Sequence, residues 1–418
     1  MACANSRAVS KVFAFTLGTL SAIGGFIDIG DLVADAQVGA RFGLRLGWVT
    51  LVSVIGIMCF AEMSGRIALK TQRPALALAR SRLGPRYALL GLVGSFLVTG
   101  LLVMAELSGV ALALELATSV HYLLWVPVAA FLVLAVIWLL PFEAMERLYG
   151  VLGLTMLVFV VAVWRLGPDW GSLWTSATTL SPVTGESWGA YLFFLVALIG
   201  AQMTPYEMFF FSSGAVESRW RPKNLAEMRV NVIVGFPLGG LLAIAIQAVA
   251  FLVFFEPGVQ VEHISQTALP VAIALGKLGL AIAIVGIFAA TFGATLETLL
   301  ASGYEVAQYF GWSYGKMQAP ARASRFTTVV LLLLLGSTAL ALTTVDPITV
   351  TIIAVVFSAS LLPFLFLPVL LVGNDRVVMG ELANGRLSNA VGTATIAVTV
   401  VISLAAFPLL ILTRGGAA

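Results

Sequence analysis

The sequence predicts an all-α polytopic membrane protein of about eleven transmembrane helices, two of them broken in mid-membrane. Composition is the first ground. Of 418 residues, 60% are hydrophobic and 10% charged, and the mean hydropathy is +1.04; a soluble domain of this length would need far more charge to cover its surface. The second ground is a succession of apolar segments, each near the ~20 residues a bilayer requires. The third is a pair of polar flaws in those segments, Gly24-Gly25-Phe26-Ile27-Asp28-Ile29-Gly30-Asp31 and Gly200-Ala201-Gln202-Met203-Thr204-Pro205-Tyr206-Glu207. The same composition excludes other classes. Two cysteines, Cys3 and Cys59, offer neither a disulfide framework nor a Cys-type metal cluster. Both histidines, His121 and His263, fall in short loops, which removes a haem bundle and a His-rich intramembrane protease. A net charge of +3 gives no footprint for nucleic acid. No nucleophile, base and orienting group cluster, so no enzyme is expected.

In chain order, the spans are placed at 12–40, 46–69, 88–118, 122–140, 148–165, 189–218, 229–254, 269–308, 325–344, 348–372 and 392–413. Arg7 and Lys11 precede the first apolar run, which continues without a cleavage site and is a retained span. The eighth is too long for one straight helix, and Gly276, Lys277 and Gly279 are expected at its outer mouth. Charge fixes orientation. One set of loops carries Arg66, Lys70, Arg73, Arg80, Arg82 and Arg86, then Arg219, Arg221, Lys223 and Arg229, then Lys316, Arg322 and Arg325. About 18 of the Lys and Arg residues fall on the side of the N-terminus and about 5 on the other. The N-terminus is therefore expected in the cytoplasm and the C-terminus outside, in the cell membrane.

The two flaws have different causes. In span one, glycines weaken the helix and carboxylates sit at bilayer depth, where a charge is costly and marks a pathway or binding site. In span six, Pro205 lacks an amide hydrogen and clashes with the preceding turn. Each break lies about 16 residues into its span and leaves a short arm of about 10 to 12 residues, roughly 15 Å of helix, before Arg41 and Arg219. The two spans run opposite ways, with five spans between corresponding points. This predicts one transporter domain (1–418) built of inverted five-helix repeats, 12–165 and 189–372, followed by an additional helix at 392–413.

Broken helices and buried acids together make a cation site. Asp28 is the central candidate ligand, flanked by apolar residues with no basic residue within a helical turn. Asp31 is a second ligand or a helix cap, and Asp35, one turn on, is expected to face an outer vestibule. At the second break the carbonyls of Ala201 and Gln202 lose helical partners, and Thr204 and Tyr206 add neutral oxygens. Glu207 complements the restarted helix dipole or contributes directly. Gly30 gives the first break its flexibility, and Met203 offers a thioether or simply packs. Oxygen donors suit Mg²⁺ and Mn²⁺, whereas sulfur selects softer metals. Glu62 is expected to pair with Arg66 at i+4. Glu106 is deep enough to be a relay; Glu115, Glu297 and Glu305 are expected to pair with loop arginines unless they serve the pathway. The Phe209-Phe210-Phe211 run is expected to pack.

The order Asp28-Ile29-Gly30-Asp31, then Gly200-Ala201-Gln202-Met203-Thr204-Pro205-Tyr206-Glu207, resembles the Nramp divalent-metal transporters, which carry Asp-Pro-Gly-Asn and Gly-Ala-x-x-Met-Pro-His at those places. The likeness extends to Gln37–Phe42, Trp48, Glu106-Leu107-Ser108-Gly109, and Ser212-Ser213 with Arg219. It implies a LeuT-like fold. It also implies that Asp28 matches the family's metal-binding Asp, Asp31 its Asn, and Ala201 its carbonyl donor. The family's metal-binding Met becomes Thr204, its His becomes Tyr206, and one Asp of its proton path becomes Val103, while Glu106 keeps the other acid. These departures resemble the Nramp-related magnesium transporters.

The expected function is alternating-access transport of a divalent cation, Mg²⁺ first and Mn²⁺ second, with weak or absent proton coupling. The metal donors are Asp28, Asp31, Ala201 and Thr204, with Gly30, Gln202, Met203, Tyr206, Glu207 and Glu106 around them or along the ion path. The cation is cargo; no resident cofactor and no obligate protein partner is expected, and the remaining contact is membrane lipid. Two rival expectations share the fold: a proton-coupled Mn²⁺/Fe²⁺ transporter, and a cation-coupled carrier of amino acids or other organic solutes.

Overall fold

The computed structural model describes residues 27–316, 318–343 and 345–416. The arm of span one before Ile27, including Gly24 and Gly25, lies outside them. Ten helical segments among the described residues are long and apolar enough to cross a membrane. With the restarted half of span one, they reproduce the expected succession, and the protein is a multi-pass membrane protein.

The elements are, in order, α1 (Ile29–Phe42), α2 (Gly47–Thr71), α3 (Ala75–Leu83), α4 (Pro85–Thr118), α5 (Tyr122–Leu139) and α6 (Phe142–Gly153). A 3₁₀ turn, Leu154–Leu157, joins α6 to α7 (Val158–Leu166) within span five. Then come α8 (Trp170–Thr178), α9 (Trp188–Gln202), α10 (Pro205–Glu217), α11 (Leu225–Ala250), α12 (Leu269–Phe310), α13 (Ser324–Ala341), α14 (Pro347–Asn374), α15 (Arg376–Met379) and α16 (Arg386–Leu412). The short loop helices α3 and α8 were not expected: at nine residues each they are too brief for hydropathy to single out.

The start of α1 at Ile29, capped by Asp28, and the interruption of span six fall where aspartate, glycine and proline predict them. Span six stops at Gln202 and restarts at Pro205, with Met203 at φ −129°, ψ 44° and Thr204 extended at φ −63°, ψ 128°. Pro205 takes the first helical position, where a missing amide costs nothing. In span eight, Gly276 adopts φ 66°, ψ −155° and bends α12 near its outer end.

Small residues let the backbones touch, as helix packing in lipid requires. A Cβ on Gly200 would lie 1.8 Å from the Val355 carbonyl oxygen, and one on Gly39 would lie 2.2 Å from that of Gln247. Spans one and six are thereby pressed against α11 and α14. At the expected outer side Arg41, in the last turn of α1, pairs with Glu186 ahead of α9 at 2.7 and 2.9 Å. The same guanidinium donates to the Gly416 carbonyl and lies 5.1 Å from the centre of the Phe194 ring. On the other side Glu62 accepts from Arg66 at 2.8 Å, as expected, and also from Arg229 at 2.9 Å. Phe209 is buried in the core, as its place in an apolar run suggested.

Candidate metal-ion site

The first break is closed by its own side chains. Asp28 is extended and caps α1, its Oδ1 accepting from the Asp31 amide at 3.0 Å. Asp31 returns the favour, its Oδ2 accepting from the Asp28 amide at 3.2 Å. This is a reciprocal capping box built from two aspartates. The cap is therefore Asp28, and Asp31 is the third residue of the helix. A third acid, Glu106 of α4, accepts from the Ile29 amide at 3.0 Å, so span three is tied to the first break.

The second break meets the first through Tyr206, whose hydroxyl donates to Asp28 Oδ2 at 3.2 Å. A methyl on Gly30 would lie 3.6 Å from Cβ of Ala201 and 2.8 Å from Asp28 Oδ1. The two interruptions thus face each other, as inverted repeats require. Asp28, Asp31, Ala201, Thr204 and Glu106 are all buried. Three carboxylate oxygens here have no hydrogen-bond partner in the protein: Asp31 Oδ1, Glu207 Oε2 and Glu106 Oε2. Glu207 leans back toward Thr204, which ends the first turn of α10 with an acid, and lies within Coulombic reach of Asp31. Bare buried acceptors are expensive unless a positive ligand meets them.

Two expected members are turned elsewhere. Met203 packs toward α2, where a Cβ on Gly56 would meet its Cε at 2.8 Å and its Sδ at 3.3 Å. Gln202 donates to Asp35 Oδ2 at 3.0 Å. Asp35 itself faces no vestibule. It is buried, and its Oδ1 accepts from Gln247 of span seven at 2.7 Å. Gln247 also donates to Thr50 of span two, at 2.9 Å. Gln247 and Thr50 were missed in the sequence; the signal for Gln247 was a lone amide in the apolar run Ala245-Ile246-Gln247-Ala248-Val249.

The expected arginine partners of other acids are replaced as well. Glu115 caps the next helix, accepting from the Tyr122 amide at 3.0 Å. Glu305 is fully buried with the Ser95 hydroxyl beside its carboxylate.

Among the described residues no three His, Cys, Asp or Glu side chains converge closely enough to chelate an ion. The oxygens available at the two breaks are a mixed set of carboxylate, hydroxyl and carbonyl groups. That chemistry fits a hard divalent ion which keeps part of its water.

The family model for natural resistance-associated macrophage protein-like chains (Nramp) matches residues 18–408. A divalent metal cation transporter, MntH, of Ralstonia nicotianae is 26% identical over 405 residues, covering 91% of this chain and 87% of that one. Among solved structures, the manganese transporter of Eremococcus coleocola, in complex with an aromatic bis-isothiourea substituted compound, superposes with a TM-score of 0.66. It is 19% identical and covers 96% of this chain and 93% of that one. Mhp1, a transporter of the nucleobase–cation-symport-1 family, superposes at 0.59 with 14% identity, covering 94% and 91%. These likenesses show the LeuT-like fold.

Proposed function

The chain belongs to the Nramp family, and on that premise we propose that it carries a divalent metal cation across the cell membrane by alternating access, with Mg²⁺ as principal cargo and Mn²⁺ as a second. Asp28 is the central ligand; Asp31 Oδ1, Thr204 Oγ1 and the Ala201 carbonyl outline the rest. The observation that carries this reading is the set of unpartnered buried oxygens on both breaks, with the Met203 thioether turned onto Gly56. Oxygen without sulfur favours a hard ion over softer transition metals.

Proton coupling is weak or absent in this reading. The position after the break proline holds Tyr206, whose phenol is a neutral donor to Asp28 rather than a group that titrates near pH 7. The repeats 12–165 and 189–372 rock about the site, with the N-terminus cytoplasmic and the C-terminus outside.

One observation favours a second reading, proton-coupled Mn²⁺ transport: Glu106 stays buried beside the first break with Oε2 unpartnered, as a relay acid would. An amino-acid carrier is disfavoured, because Asp28 and Glu207 occupy the half-helix N-termini that would receive a substrate carboxylate.

Uptake of single ions into proteoliposomes carrying an internal pH dye tests the proposal. Mg²⁺ should enter without acidifying the lumen. Exclusion of Mg²⁺ together with Mn²⁺ entry that acidifies the lumen would establish the second reading instead.

A further inference from the structure

On the expected cytoplasmic face, α3, the start of α4 and the end of α12 border an open groove of about 510 Å³. That volume lies within the ~300–1,000 Å³ range typical of small-molecule sites. Its walls include Gln72, Arg73, Arg80, Gln308, Trp312 and Tyr314, and no Asp or Glu is among the lining residues. Arg73 makes no ion pair among the described residues. Arg80 is held in place without being neutralised, since it donates to the Tyr309 carbonyl and lies 5.0 Å from the centre of the Tyr309 ring. Glu217 stands behind Tyr314 and is engaged by the Tyr304 hydroxyl. Burial, then the Glu217 charge, raise the Tyr314 phenol above its usual value, so it remains a neutral donor.

Two unneutralised guanidiniums in a concave, partly aromatic groove fit a phosphate group, to which arginine offers paired donors. The same charge repels a divalent cation, so this groove does not serve as an exit for the cargo. It is, however, mechanically joined to the second break. Gln308 donates to Ser213 Oγ at 2.8 Å, the Ala75 amide donates to Ser212 Oγ at 3.5 Å, and Gln72 donates to the Trp220 carbonyl. Ser212 and Ser213 belong to α10, the half-helix that begins at the ion site, and Trp220 follows its end.

We propose that this groove binds a phosphate-bearing anion, either a soluble nucleotide or an anionic lipid headgroup, and that its occupancy regulates transport by fixing the position of α10. A ligand drawing Arg73 and Arg80 together locks α3 and the end of α12, and with them the three contacts that hold α10. It thereby favours one of the arrangements between which the half-helix must move.

The test uses the full chain in phosphatidylcholine nanodiscs, with ATP in EDTA so that the nucleotide carries no divalent ion. Saturable ATP binding is expected, weakened at least tenfold in Arg73→Gln and in Arg80→Gln. Arg73 is exposed, so its variant tests the site even if the Arg80 variant folds poorly. If ATP does not bind, spin-labelled phosphatidylglycerol in mixed nanodiscs should be immobilised by the parent and not by Arg73→Gln, which assigns the site to lipid. Failure of both probes, or equal binding by parent and Arg73→Gln, overturns the site. For regulation, the successful probe is added to the lumen of proteoliposomes and ion flux is compared between parent and Arg73→Gln, which cancels chelation by ATP. A flux change of severalfold in the parent alone is expected; identical responses overturn the regulatory role.

Discussion

The two breaks share a position in the fold and differ in how their backbones are satisfied. The first is closed by carboxylates: Asp28 and Asp31 cap each other's amides, and Glu106 takes the next one. The second is opened by Pro205 and left without a side-chain cap, with the Thr204 hydroxyl beside the Glu207 carboxylate. The first break therefore supplies charge from a rigid frame. In the proposed reading the second adds neutral oxygens beside the Glu207 carboxylate, and differences in ion preference are expected there. Mutations can separate charge from frame at the first break, and hardness from shape at the second.

The largest effect is expected at Asp28. Asparagine caps a helix about as well as aspartate, so Asp28→Asn should keep the frame and lose the charge. Mg²⁺ uptake should fall by roughly two orders of magnitude, since a buried ligand charge is worth several kcal/mol, while the melting temperature stays near that of the parent. Asp28→Ala should lose both, with an added stability cost of about 1 kcal/mol for the missing cap. Uptake that survives in Asp28→Asn would remove Asp28 from the ion site and leave it a cap alone.

Thr204 comes next. Thr204→Cys replaces the hydroxyl with a thiol of similar size, so shape is kept and softness changes. The ratio of Cd²⁺ or Mn²⁺ uptake to Mg²⁺ uptake should rise about tenfold, following the preference of sulfur for softer ions. An unchanged ratio would mean that selectivity is set at the first break, and the division of labour between the two would be wrong.

Most of the frame was legible in the sequence because each break advertises itself. Glycine and aspartate in an apolar run, or proline in mid-span, are local signals whose effect on a helix is independent of distant residues. Gly276 was legible for the same reason. The pairing of Asp35 with Gln202 and Gln247 was not, because it joins spans one, six and seven across 167 and 212 residues. Nothing near Asp35 distinguishes a vestibule acid from one bonded to two amides. Glu305 makes the same point from the other side. Loop arginines were in supply, yet Glu305, buried on α12, pairs with none among the described residues. The identity of the cap was decided by one residue of register: α1 restarts at Ile29, before Gly30, which puts Asp28 at the cap and Asp31 inside.

The smallest effect is expected at Tyr206, whose side chain bridges the breaks directly. Tyr206→Phe removes a single neutral hydrogen bond to Asp28, worth about 1 kcal/mol, so apparent affinity for the cation should change by roughly fivefold and the maximal rate less. Tyr206→His puts a titratable ring in the same place. Above its pKa, near 6.5 for an unperturbed imidazole, the ring is neutral and transport should match the phenylalanine variant. Below it, a positive charge beside Asp28 competes with the cargo, so uptake should fall as pH falls through that range. The parent should lack this step, because a phenol carries no charge there. If the parent already shows it, another buried acid is titrating with transport, Glu106 is the first to substitute, and the proton-coupled reading gains the ground that the two-break comparison gives up.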